Sequence, residues 1–153
     1  MAFLLDYKEY NNLKDACTEE EVTEIEEKLG VKFPQSIREV YLILGKYYGF
    51  SFVDDNTYKF PDYKGMRDGV EEILSEYENG VVLNDNMFIV GCFMENGIFY
   101  FIKLDEGSNP PVYMYNEGDK TYTLCAATYS SFIQKTLLYY GYLRAKGRES
   151  GSL

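Results

Sequence analysis

The chain predicts an α+β single domain: N-terminal helices, a mostly antiparallel sheet packed with helices, and a C-terminal closing helix. Three observations carry that expectation. Apolar residues recur at helical spacing from Val22 to Leu44 and again from Val70. Aromatic and β-branched runs, separated by turn residues, fill Val81 to Ala126. The length of 153 residues, with no internal repeat, linker or low-complexity tract, suits one core. The domain is expected over residues 1–144, with 145–153 a frayed polar tail.

The strongest local signal is Thr18–Glu21. Thr18 can accept from the Glu21 N–H while the Glu21 carboxylate reaches back, a capping box flanked by Cys17 and Val22 in the staple positions. Val22, Ile25 and Leu29 then form an apolar stripe, with Glu19, Glu20, Glu24, Glu26 and Glu27 assigned to the other side and Gly30 as the stop. Pro34 opens a second helix, where its missing N–H costs nothing. Ile37, Val40, Tyr41, Leu44 and Tyr48 share its buried face as far as Gly49, and Gly45 reads as a close packing contact. Asp6–Lys14 reads as a shorter helix before the capping box.

From Phe50 the pattern changes. Phe50, Phe52 and Val53 suggest a short strand and Asp54–Asn56 a loop; the stretch with Pro61, Gly65 and Gly69 fits no element. Val70, Ile73, Leu74 and Tyr77 return to helical spacing until Asn79–Gly80. Strands are expected at Val81–Leu83, Met87–Phe93, Ile98–Leu104, Val112–Tyr115 and Tyr122–Ala126. Glu95–Asn96–Gly97 signals a hairpin, since Asn and Gly tolerate positive φ. The last helix starts near Ser130, with Phe132, Ile133, Leu137 and Tyr140 on one face, and stops at Gly141.

Composition narrows the chemistry. Fifteen Lys and Arg against 25 Asp and Glu give a net charge of −10, and the pI is near 4.5. Such a surface repels phosphate backbones and anionic lipid, so neither nucleic acid nor membrane is an expected partner; a basic protein is. There is no histidine, which removes Ser–His and Cys–His nucleophile pairs and His-ligated zinc. Cys17, Cys92 and Cys125 are widely spaced among apolar neighbours and read as buried free thiols of a reducing, cytoplasmic compartment. Met1–Leu5 lacks the basic start and cleavage site of a signal peptide, and no apolar stretch approaches a membrane span.

The remaining catalytic options are weak. Among 25 acids chance pairs are inevitable, so Glu71/Glu72 and Asp105/Glu106 read as solvated charges, although an enzyme working with carboxylates alone stays open. Asp54–Asp55–Asn56 lacks calcium-loop spacing, and no glycine-rich phosphate cradle occurs. Lys59 or Lys103 would be nucleophilic only if buried and neutral. The expectation is no catalytic residue, no metal and no cofactor: a binding protein.

The order of motifs then resembles the SUKH superfamily, which includes fungal Smi/Knr cell-wall regulators and many bacterial immunity proteins. The residues carrying the resemblance are the acidic helix Thr18–Leu29, Gly30–Val31–Lys32–Phe33–Pro34, and the helix with Tyr41 ending at Gly49. They continue through Ile89–Val90–Gly91, Asn96–Gly97, Val112–Tyr113–Met114–Tyr115 and Ser131–Phe132. The resemblance implies an α+β fold without catalytic residues. It further implies an antidote that binds a toxin, commonly a nuclease or deaminase, and blocks its active site or substrate groove; the alternative is a non-enzymatic regulatory scaffold. The contact set is expected where the chain departs from the family frame and is acidic and aromatic: Asp54, Asp55, Glu71, Glu72 and Glu76, with Tyr58 and Tyr77 as anchors. Oligomeric state is left open, since an edge strand could pair two copies.

Overall fold

The computed structural model describes residues 16–46, 60–76, 81–93 and 96–136. Among these residues three helices come first: α1 (Glu19–Leu29), α2 (Gln35–Leu44) and α3 (Phe60–Ser75). Four strands follow, β1 (Met87–Phe93), β2 (Ile98–Lys103), β3 (Val112–Asn116) and β4 (Thr123–Ala126). Residues 129–136 form the last described helix, α4. The sheet is a meander in the order β1-β2-β3-β4, antiparallel throughout. This is the α+β domain that the sequence predicts.

The capping box forms as expected. Glu21 N donates to Thr18 Oγ1 at 3.2 Å and Thr18 N to Glu21 Oε2 at 2.8 Å. Cys17 and Val22, the staple pair, are both buried, as is Ile25. Gly30 ends α1 in the left-handed region at φ 67, which a side chain disfavours. Helix α2 ends sooner than predicted, at Leu44, with Gly45 and Lys46 in a turn. A Cβ on Gly45 would collide with Cys17 Sγ and the Tyr41 carbonyl, so the predicted close contact is real. The Tyr41 carbonyl accepts from both Cys17 N and Gly45 N, fastening the chain before α1 to the end of α2.

Pro34 stands at the N-cap of α2 without a side-chain cap. The missing acceptor comes from across the fold, where Ser36 N donates to the Ser108 carbonyl at 3.0 Å. The same β2–β3 loop holds α4: Tyr129 N donates to the Pro110 carbonyl, and Ser130 N to Asn109 Oδ1 at 3.0 Å. One loop thus closes the open ends of two helices.

Two expectations need correction. The stretch around Pro61, Gly65 and Gly69 is helical, because α3 starts at Phe60, ten residues before the Val70 pattern. Pro61 lies in the first turn, where no N–H is required. Tyr63, Met66, Val70 and Leu74 then supply one buried stripe, and its packing overrides the poor helix propensity of glycine. Val81–Leu83 is not a strand; these residues lead into β1 without a ladder partner among the described residues. The other four strands lie where expected to within one residue.

Helices pack on one face of the sheet. Phe88 stacks on Tyr63 of α3, with centroids 4.7 Å apart, and meets Phe33 at 4.8 Å; Tyr100 meets Phe132 of α4 at 5.3 Å. The opposite face carries Ile89, Phe99, Phe101 and Tyr115, all essentially without solvent exposure. Helix α3 also closes the outer edge of β1. Ile89 N donates to Tyr63 Oη at 3.2 Å, and Arg67 donates to the carbonyls of Met87 and Asn84, each at 2.9 Å. An i, i+4 pair on one helix therefore satisfies backbone groups that would invite another strand.

The predicted helices at Asp6–Lys14 and strand at Phe50–Val53 lie outside the described residues, as do Leu137 and Tyr140. No helix among the described residues is long and apolar enough to cross a membrane.

Candidate partner-binding surfaces

Glu71 and Glu72 stand on the outward side of α3, and Glu76 one residue past its end; all three are exposed. The stripe that buries Tyr63, Met66, Val70 and Leu74 turns Lys64, Asp68, Glu71, Glu72 and Ser75 to solvent, as helical periodicity requires. Lys64 pairs with Asp68 at 2.8 Å, and Glu71 with Arg67 more loosely at 3.7 Å. Glu71, Glu72 and Glu76 thus share one acidic ridge. Asp54, Asp55, Tyr58 and Tyr77 lie outside the described residues.

A second acidic surface is the outer side of α1, where Glu20, Glu24 and Glu27 are exposed. Glu20 is held below the usual carboxylate range by a backbone N–H and the Thr18 hydroxyl at the helix start. Lys28 offsets Glu24 at 2.6 Å.

Glu26 does not belong to that surface, which corrects its assignment to the solvent side. Its side chain is 2% exposed. Oε1 accepts from Phe33 N at 2.7 Å; Oε2 accepts from Arg38 at 2.7 Å and from Lys32 at 3.3 Å. Burial alone would raise its pKa, but the Phe33 N–H, the Lys32 ammonium and the Arg38 guanidinium outweigh it and hold the carboxyl below 4.5. The Glu26 carbonyl accepts from Val31 N at 3.0 Å. Gly30–Pro34 is therefore folded around one carboxylate that links α1 to α2.

A cleft of about 530 Å³ opens beside the sheet, lined by Val81, Val82, Asn84, Asn86, Lys103, Asp105, Glu106 and Tyr122 among others. Strand register places its polar groups. Phe101 faces Tyr113 across β2 and β3, so Lys103, two residues on, emerges on the same face near Tyr113. The Lys103 ammonium lies 4.9 Å from the Tyr113 ring centre, 5.3 Å from that of Tyr122, and 3.4 Å from Glu106. Glu106 accepts from Tyr113 Oη at 2.9 Å. Asn86 and Asp105 close one end, with Asn86 Nδ2 donating to Asp105 Oδ1 at 2.6 Å.

Hydrogen bonding with Tyr122 and the Glu106 charge raise the Lys103 pKa, which favours its ammonium form. Burial and Glu106 likewise raise that of Tyr113. Glu106 is partnered, which corrects its reading as a solvated charge. Both shifts favour the protonated forms, an ammonium at Lys103 and a phenol at Tyr113. Sequence reasoning overlooked Asn86, Tyr113 and Tyr122; the alternation Phe99–Phe101–Lys103 beside Tyr113–Tyr115 was the available signal.

Cys17 and Cys92 are buried, and burial with the Glu21 charge pushes the Cys17 thiol up to about 12. Cys125 is exposed on β4, contrary to expectation. No group of three or more potential metal-ligating side chains occurs among the described residues.

Most of the described residues fall within the match to one family model. The model of the SMI1 / KNR4 family (SUKH-1) matches residues 16–135, and the chain belongs to that family. No curated protein matches the chain.

Proposed function

We propose that this protein is an immunity protein. It binds a cognate toxin domain of the nuclease or deaminase kind in the cytoplasm and neutralises it by covering the active site or substrate groove. Membership of the SMI1 / KNR4 (SUKH-1) family over residues 16–135 is the observation that carries the reading. The charge supports it: a nuclease must offer phosphates a basic groove, and a chain of net charge −10 is steered toward one. The contact set is the α3 ridge of Glu71, Glu72 and Glu76, together with Asp54, Asp55, Tyr58 and Tyr77. The acids raise the association rate, and the tyrosines supply the desolvated anchors that slow release. The protein itself performs no catalysis.

Affinity capture at moderate salt, read by mass spectrometry, tests the reading. The expected result is one dominant partner with a basic toxin domain. A spread of cell-wall or signalling proteins would overturn it in favour of a regulatory scaffold.

A further inference from the structure

We propose that the cleft beside the sheet receives an arginine side chain of the protein this chain binds, with its guanidinium on Asp105 and its stem against Val82 and Tyr122. The inference rests on the proposed basic partner and names a feature of that partner beyond its overall charge.

The cleft is built around one carboxylate. Asn86 meets Asp105 with both ends of its amide: Nδ2 donates to Asp105 Oδ1 at 2.6 Å, and Oδ1 accepts from Asp105 N at 3.1 Å. Asn86 is fixed in turn, since its N–H donates to Asn84 Oδ1 and its carbonyl accepts from Leu104 N. Arg67 holds the same turn by the Asn84 carbonyl. Asp105 is therefore preorganised, which lowers the entropy lost on binding. Its Oδ2 takes no hydrogen bond among the described residues. Beside it, Glu106 receives only the Tyr113 hydroxyl and the Lys103 ammonium. Tyr122 and Val82 supply apolar wall, and Val82 is 77% exposed. At about 530 Å³ the cleft has the size of a ligand pocket, with room for a long side chain and the backbone that carries it.

The charges of the lining select the occupant. Two carboxylates face one ammonium, and that ammonium is already engaged by Glu106 and by the rings of Tyr113 and Tyr122. One negative charge is left in excess, and Asp85, between the two asparagines, adds a second that is fully exposed. An anion would be repelled by both acids. An apolar group would take water from Asp105 and return no hydrogen bond. A cation restores the balance, and arginine suits it better than lysine: its planar fork matches a carboxylate, sheds water more readily and packs on an aromatic ring. The cleft also adjoins the acidic ridge, because Arg67 lies 3.7 Å from Glu71 and 3.9 Å from Asp85. The ridge steers a basic surface, and the cleft holds one side chain of it.

Nuclear magnetic resonance of the isotope-labelled full chain, titrated with N-acetyl-arginine amide, tests this. Saturable shifts are expected at the amides of Asn86, Asp105, Glu106 and Tyr122, with none from the neutral isostere N-acetyl-citrulline amide. Asp105→Asn should weaken the binding about tenfold. Should that variant not fold, Val82→Arg, at an exposed position, sets a guanidinium at the mouth and should weaken it likewise. No saturable shift, equal shifts from the citrulline probe, or shifts confined to Glu71, Glu72 and Glu76 overturn the proposal. Against the basic domain recovered by capture, Asp105→Asn should speed dissociation about tenfold with association little changed. Unchanged dissociation also overturns it. The titration needs no partner, so a silent one ends the pocket and leaves the immunity reading standing. Capture without any toxin ends that reading, while the titration still judges the pocket.

Discussion

Glu26 shows most clearly how one side chain shapes this fold. Its carboxylate replaces water with one backbone N–H and two cations. Glu26→Ala leaves the Phe33 N–H and Arg38 without their acceptor and is expected to cost about 2–3 kcal/mol in denaturant unfolding. Its pKa is depressed on folding, so its stabilisation is complete above pH 4.5 and is lost as pH falls through the folded-state value. The stability gap between the parent and Glu26→Gln should therefore narrow on acidification; a gap independent of pH would refute the assignment. The position was legible. Glu26 lies four residues after Val22, within the apolar stripe, and charge alone suggested solvent. Spacing outweighs charge when a neighbouring segment brings partners, as Lys32–Phe33 and Arg38 do.

At the scale of elements, the strands were legible because alternating aromatic and branched residues between turn signals have few other uses. The first ten residues of helix α3 were not, since Pro61, Gly65 and Gly69 each weigh locally against a helix there while its packing against β1 is invisible in sequence; from Val70 on the helical spacing was legible. That packing is testable. Tyr63→Phe keeps the ring on Phe88 but removes the acceptor for Ile89 N. A loss of about 1 kcal/mol is expected, with faster exchange of the Ile89 amide. Gly45→Ala tests the contact between α2 and the chain entering α1. At φ −59 alanine is conformationally acceptable, so any loss is steric and should reach about 1–3 kcal/mol. Thermal unfolding showing no loss would mean that Cys17 does not rest on the glycine.

For the whole molecule, net charge dominates. The chain presents exposed acids on α1 and α3, while its buried charge is neutralised internally. Of the expected contact residues, Glu71, Glu72 and Glu76 fall together because a helical stripe places them so. The remaining four lie outside the described residues, and the cleft groups emerged only once strand register was known. Reversing Glu71, Glu72 and Glu76 to Lys should slow association with a basic partner about tenfold or more at low salt, with little change at high salt. Surface plasmon resonance across ionic strengths reads both effects, and unchanged association would remove the ridge from the interface.

The claim that this chain neutralises a toxin is tested most directly in living cells. The basic domain recovered by capture is expressed with and without this protein, and growth is followed. Growth should stop when the domain is expressed alone and resume when the chain is present at equal or greater amount. Arrest that persists despite a stable complex, or a captured domain that is harmless by itself, would contradict the account.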